Sequence, residues 1–159
     1  MIQNHTPLGL VNPANPVSEI LPGLFQGGTL RHQVIDREQL LMKFHEDPRQ
    51  FDAVVTLYAW AAPVGYGVEE RRFGFPDSGL VPNYVERIEA IADWAYSEWQ
   101  AGRRVLIRCA AGMNRSGFIT ALVLMRAGYS ADDAIALIRA KRSPLALSNE
   151  AFNDHLRSR

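Results

Sequence analysis

The segment RVLIRCAAGMNRSGFITALVLMRAG, Arg104 to Gly128, carries three structural signals in succession. RVLIR, Arg104 to Arg108, is short, apolar in its middle and β-branched, which predicts a buried strand running into Cys109. From about Arg115 to Gly128 the chain is apolar nearly all round, which predicts a helix at the centre of the domain. Between them lies an eight-residue loop, Cys-Ala-Ala-Gly-Met-Asn-Arg-Ser, from Cys109 to Ser116. A strand, a loop and a helix in that order are a unit of an α/β fold.

Outward from this unit the pattern repeats. Towards the N-terminus, Asn83 to Gln100 carries apolar residues at Tyr84, Ile88, Ile91, Ala92, Ala95 and Trp99, the spacing of one helix face, and Gly102 ends it. Arg71 to Phe75 reads as a short strand ending at Pro76, and residues 61–69, with Pro63, Gly65 and Gly67, as a loop. FDAVVTLYA, Phe51 to Ala59, is continuously apolar, as a strand buried on both faces should be. Residues 35–46 have helical composition, closed by Pro48. Glu19 to Gln26 (EILPGLFQ) reads as a short strand interrupted by Pro22-Gly23 and closed by Gly27-Gly28. Towards the C-terminus, Ser130 with Asp133 makes a capping-box-like start for a helix to Lys141, and Ser148 is placed to cap a last helix through Leu156. The expected fold is therefore α/β, a single domain with a mainly parallel central sheet flanked by helices, over residues 18–159, preceded by an extended N-terminal segment, 1–17, rich in Asn and Pro.

The whole chain sets bounds on partners. Its 159 residues suit one domain that needs neither disulfide nor metal to hold a core. A formal net charge of zero argues against a nucleic-acid or polybasic membrane partner held by bulk charge. Fifteen of the 17 basic residues are Arg, the side chain suited to bidentate recognition of oxyanions. One cysteine makes no internal disulfide, no signal peptide opens the chain, and no apolar run approaches the ~20 residues needed to span a bilayer. A cytoplasmic monomer without a membrane partner is the expectation. His5, His32, His45 and His155 lack metal-ligand spacing, so no metal or other cofactor is expected.

The loop carries the chemistry. Wrapped at a helix N-terminus, main-chain N–H groups from Ala110, Ala111, Gly112, Met113, Asn114 and Arg115 can face an anion and add the positive end of the helix dipole. Gly112 permits the curvature. Arg115 can grip two phosphate oxygens through its fork. The same positive environment favours the thiolate of Cys109, the form that attacks. The Ser116 hydroxyl can donate to the sulfur and ease its departure. These parts together answer the needs of phosphate ester cleavage, with Cys109 as nucleophile.

CAAGMNRSG resembles the signature loop of the cysteine-dependent protein tyrosine phosphatase superfamily, in which Cys and Arg enclose five residues and Ser or Thr follows. FGFPDSGLVP, Phe73 to Pro82, resembles the acid loop of that family, with Phe75 where Trp is usual. The resemblance makes Asp77, 32 residues before Cys109, the general acid and base. EILPGLFQGG, FDAVVTLY and KRSPLALSNEAFNDHL resemble the opening strand, a core strand and the C-terminal stretch of dual-specificity phosphatases, so the likeness runs from Ser18 to Leu156. It implies a phosphorylated protein or peptide as substrate, with phosphotyrosine admitted and phosphoserine and phosphothreonine reached through a shallow pocket. The uncharged Ala110, Ala111 and Met113 argue against inositol phospholipids.

Two positions depart from the family. Arg108 stands where His usually precedes the nucleophile, either supporting the thiolate by charge or pointing away from the sulfur. Asn114 stands where Ser or Gly is usual, and Gly-x-Asn-Arg-Ser-Gly is similar to the RNA 5′-triphosphatase branch, so an RNA 5′ end is the alternative substrate. That branch typically lacks the acid, and Asp77 favours phosphomonoesters. A non-catalytic phosphate-binding module and a rhodanese-type sulfur carrier are further alternatives, for which a thiolate paired with an acid has no use. Tyr66 is a candidate for the pocket rim. Trp60, Trp94 and Trp99 are expected to pack in or beside the core; Arg142 either faces the anion pocket or, as the favoured reading, is a solvated helix terminus.

Overall fold

A computed structural model of the chain describes residues 17–29, 51–65 and 67–159. The helix expected over 35–46, residues 1–16 of the N-terminal segment, Tyr66, His5, His32 and His45 lie outside the described residues.

The stretch around Pro22-Gly23 is a hairpin rather than one interrupted strand: β1 is Val17–Leu21 and β2 is Leu24–Gly28, antiparallel, with Leu21 opposite Leu24. Proline followed by a glycine at φ +83° is turn chemistry, and the Trp99 indole donates to the Pro22 carbonyl at 2.9 Å to pin it. Gly27 and Gly28 belong to β2 instead of merely closing it. β3 is Ala53–Thr56, the middle of the expected 51–59 run. β4 is Glu69–Arg72, earlier than the expected 71–75, because it pairs in parallel with β3 from Ala53↔Glu69 to Thr56↔Arg72 and ends where β3 ends. β5 is Val105–Cys109. The sheet runs β1-β2-β5-β3-β4, every pair parallel except the β1–β2 edge.

Four helices follow among the described residues. α1, Pro82–Gln100, starts on proline and buries Ile88, Ala92 and Ala95 from its apolar stripe. α2, Arg115–Arg126, is buried without a break from Ser116 to Leu124 and contacts the other helices as well as β2 and β5. α3, Ala131–Lys141, begins where expected, with the Ser130 hydroxyl accepting from the Asp133 N–H at 3.1 Å. α4, Glu150–Ser158, is capped by Asn149 rather than Ser148: the Asn149 amide oxygen accepts from the Ala151 and Phe152 N–H groups.

Strand side chains alternate between the faces. Leu24, Val55, Ile107 and Cys109 join the main core under the helices, while Phe25, Val54 and Leu106 join a smaller cluster behind the sheet. Each fully buried Phe, Leu or Ile is worth roughly 1.5–3 kcal/mol, so the central position of α2 contributes more than its intrinsic propensity. Trp94 and Trp99 are half-buried, as expected, but Trp60 is 67% exposed. It lies past the end of β3, on a turn whose flanking Ala59 and Ala61 carbonyls accept from Arg72, and that turn carries its ring outward.

Candidate active site

β5 is the middle strand, and its C-terminal end delivers Cys109 between the ends of β2 and β3, where open parallel sheets place their ligands. Two glycines, Gly28 and Gly112, let the following loop press against β2. A Cβ on Gly112, whose φ is +75°, would meet Gly27 and Gly28 main-chain atoms at 2.5 Å, and one on Gly28 would meet the Ala110 carbonyl at 2.7 Å. The Gly-Gly pair ending β2 is thus part of the loop's seat, a signal present in the sequence but there read only as punctuation.

Cys109 is 2% exposed. Its sulfur lies 3.3 Å from the Gly112 N–H and 3.3 Å from the Ser116 hydroxyl. A thiol donates to that hydroxyl, and a thiolate accepts from it. The Arg115 guanidinium is held along one edge, where Nη1 donates to the carbonyls of Phe75 (3.1 Å) and Leu57 (3.4 Å). Its Nε is buried with no hydrogen-bond partner in the protein, and the Tyr58 ring lies 5.9 Å from its Cζ. A buried guanidinium N–H without an acceptor is costly unless an oxyanion meets it. Ala110, Ala111, Met113 and Asn114 complete the loop, and Leu147 donates its N–H to the Met113 carbonyl at 3.3 Å.

The outward carbonyls of the loop are also held. Arg142 donates from Nε to Gly112 O at 3.0 Å, from Nη2 to Ala111 O at 3.4 Å and from Nη1 to the Ser18 hydroxyl at 3.1 Å. Gln26 adds a bond to Gly112 O at 3.1 Å. Arg142 is therefore not a solvated helix terminus. Burial lowers its affinity for its proton below the ordinary guanidinium value, and the charge of Cys109 pulls it back up. Its proximity to the loop depends on the crossing of β1 beneath α3, which no local pattern reports.

Arg108 points away from the sulfur. It leaves β5 on the face opposite Cys109, is fully buried, and donates to Thr56 Oγ1 (3.0 Å), Thr29 Oγ1 (3.2 Å) and Ala62 O (2.7 Å). Glu70 lies 3.5 Å from it. Burial pushes the Arg108 guanidinium below its ordinary value, opposed by Glu70 and assisted by Arg72.

Asp77 lies on the exposed loop before α1, and both its oxygens accept from amides: Oδ1 from Asn149 Nδ2 at 2.7 Å and Oδ2 from Asn114 Nδ2 at 2.9 Å. Phe75, in the position usual for Trp, is buried and stacks on Phe73. The structure thus brings Cys109, Ser116, Arg115, Asn114 and Asp77 into one connected region. His155 is elsewhere, bonded to Glu89 at 3.0 Å. Among the described residues no group of three or more His, Cys, Asp or Glu side chains is gathered as a metal site requires. No helix among them is long and apolar enough to cross a membrane.

Residues 77–158 match the model of the dual specificity phosphatase catalytic domain. No curated protein matches the sequence. Among solved structures, a mouse protein described as a dual specificity phosphatase, complexed with zinc tungstate, is similar at 24% identity, covering 95% of this chain and 91% of its own, with a TM-score of 0.74. Human DUSP28 is similar at 21% identity, covering 94% of each chain, with a TM-score of 0.73. Tk-PTP in its active form shares 26% identity over 91% of this chain and 97% of its own, with a TM-score of 0.67.

Proposed function

Because the chain belongs to the dual specificity phosphatase family, whose catalytic-domain model spans just over half of it, we propose that it hydrolyses phosphomonoesters on proteins through a cysteinyl-phosphate intermediate. Phosphotyrosine is one substrate, and phosphoserine and phosphothreonine are admitted through a shallow pocket. The observation that carries this reading is the convergence at one loop of the Cys109 sulfur, the Gly112 N–H and the unpartnered Arg115 Nε.

Substrate phosphate docks on the loop N–H groups of residues 110–115 and on the Arg115 fork. The Cys109 thiolate attacks phosphorus; the S–P bond forms as the P–O bond to the leaving group breaks, and Asp77 gives that oxygen its proton. Asp77, now a carboxylate, takes a proton from a water that attacks phosphorus. The S–P bond then breaks, releasing inorganic phosphate, and the Ser116 hydroxyl donates to the departing thiolate. The loop donors and Arg115 work by meeting charge on the equatorial oxygens as it develops. Chemistry of this kind needs no metal. A monomer in the cytoplasm, where a lone thiol stays reduced, suits it.

A substrate panel tests the reading, with wild type and Cys109→Ser on phosphotyrosine, phosphoserine and phosphothreonine peptides and on triphosphate-ended RNA. Wild type should release phosphate from the peptides, and Cys109→Ser should release none. Faster release of the γ-phosphate from RNA would turn the assignment to the triphosphatase alternative. Loss-free turnover by Cys109→Ser would remove the cysteine mechanism. Binding without turnover would leave a phosphate-binding module.

A further inference from the structure

We propose that Asn149 and Asn114 are positioning residues that together hold Asp77 in register with the phosphate loop. The inference rests on the role given to Asp77 above and adds what sets its place.

Amide oxygen and nitrogen are hard to tell apart by shape, but here main-chain donors orient both side chains. The Asn149 oxygen caps α4, accepting from the Ala151 N–H at 3.0 Å and the Phe152 N–H at 3.3 Å. Its Nδ2 is thereby turned to the acid loop, where it meets Asp77 Oδ1 and, at 3.1 Å, the Ser78 carbonyl. The Asn114 oxygen accepts from the Asn149 N–H at 3.2 Å and lies 3.4 Å from the Ser148 hydroxyl. Its Nδ2 is thereby turned to Asp77 Oδ2. A main-chain N–H can only donate, so neither amide can flip without losing a bond and setting its oxygen against a carboxylate.

The consequence is geometric. Asn114 precedes Arg115 in the phosphate loop, and Asn149 is the first fixed point of α4. One carboxylate is bridged between the element that holds phosphate and a helix packed on the core through Phe152 and Leu156. Among the described residues no cationic side chain pairs with Asp77. Neutral amide donors fix its direction, and each oxygen keeps a second lone pair for the proton in transit. An acid on an exposed loop otherwise wanders, and general acid catalysis needs hydrogen-bond reach to the leaving oxygen. Asn114, the residue that pointed to an RNA end, has here a purpose tied to the acid that the triphosphatase branch lacks.

The test has two arms. In wild type, side-chain amide proton resonances of Asn114, Asn149 and Asn153 are compared with those of Asp77→Ala. Asn153 donates to the Leu147 carbonyl at 2.8 Å and serves as the internal control. Removal of the acceptor should move the Asn114 and Asn149 resonances and leave Asn153 in place. In the second arm Asn149→Ser keeps an oxygen for the helix cap but loses the donor to Asp77. Its kcat/KM for phenyl phosphate, a poor leaving group, should fall about tenfold or more, while that for para-nitrophenyl phosphate stays within about threefold, because kcat/KM reports P–O cleavage before the base acts and the poor leaving group depends more on the proton. Unmoved Asn114 and Asn149 resonances, or equal losses on both esters, would overturn the proposal. Should wild type hydrolyse neither ester, the proposed function fails, and the resonances still decide whether the clamp exists.

Discussion

Arg108 and Cys109 are neighbours in sequence, yet the pleat of β5 sends them to opposite faces. The family's usual His at this position suggests a tuning role, and the structure gives the arginine a different one. Its guanidinium is fully buried among two threonine hydroxyls and the Ala62 carbonyl, with Glu70 beside it. A buried acceptor that loses its donor costs roughly 1–3 kcal/mol. Arg108→Met takes the donor from the Ala62 carbonyl, while Glu70 keeps Thr56 and Arg72, so it should lower the unfolding free energy by about 2 kcal/mol in urea titrations while leaving the pH–rate profile of the folded protein in place. Unchanged stability with a displaced acid limb would return Arg108 to the thiolate.

At the scale of elements, the phosphate loop is held from three sides: by β2 glycines, by the N-terminus of α2, and from behind by Arg142. The main-chain N–H groups can face inward because their carbonyl partners face outward, and Arg142 and Gln26 occupy the carbonyls of Ala111 and Gly112. Hydrogen bonds to a charged donor contribute roughly 1.5–3 kcal/mol. Arg142→Met should weaken binding of inorganic phosphate or tungstate by about tenfold or more, read by competitive inhibition, through loss of loop order and of positive charge. An unaltered inhibition constant would show that the loop holds its shape without it.

The strand–loop–helix unit was legible in the sequence because its signals are local: an apolar strand, a glycine-bearing loop, an apolar helix. What escaped was settled by distant contacts. Pro22-Gly23 looked like an interruption because a two-residue turn is invisible until its strands pair. Ser148 and Asn149 are both good cap residues, and the choice fell to Asn149, which reaches Asp77 with its other end. Arg142, at a helix end, reads first as solvated, because its own segment does not show the contact with Ser18 of β1 that carries it to the loop. Cys109 is legible from its loop, and Asp77 from the resemblance of its segment to the family's acid loop, whereas the amides joining the acid to the loop come from segments 35 residues apart.

Across the whole molecule, one carboxylate ties three helices together. Glu89 on α1 accepts from Arg126 of α2 at 2.8 Å and from Arg159, at the end of α4, at 2.9 Å, and His155 of α4 lies 3.0 Å away. Partial burial pushes its pKa up, but His155, Arg126 and Arg159 outweigh that and hold it below the ordinary 4.5. A carboxylate depressed on folding adds stability that is present above its unfolded pKa and lost as pH falls through its folded one. Glu89→Gln should therefore be less stable than wild type at neutral pH, and the gap should close as pH falls below 4.5. A gap in urea midpoint that persists in acid would assign the loss to packing. The same helices carry the aromatic bridge to the site: Phe118 stacks on Phe152 with centroids 4.6 Å apart, and Phe152 meets Phe75 of the acid loop at 6.0 Å. Core and acid loop are thus one packed body, so stability and acid placement should fall together when either ring is cut back.

Everything proposed for this protein turns on a phosphoryl group that passes through Cys109. Quenching the wild-type protein in acid during turnover of para-nitrophenyl phosphate, followed by peptide mass spectrometry, looks for that group directly. One phosphoryl group is expected on the peptide carrying Cys109, more of it in Asp77→Ala, whose intermediate lacks its base, and none in Cys109→Ser. Steady phosphate release with Cys109 unmodified in both wild type and Asp77→Ala would contradict it.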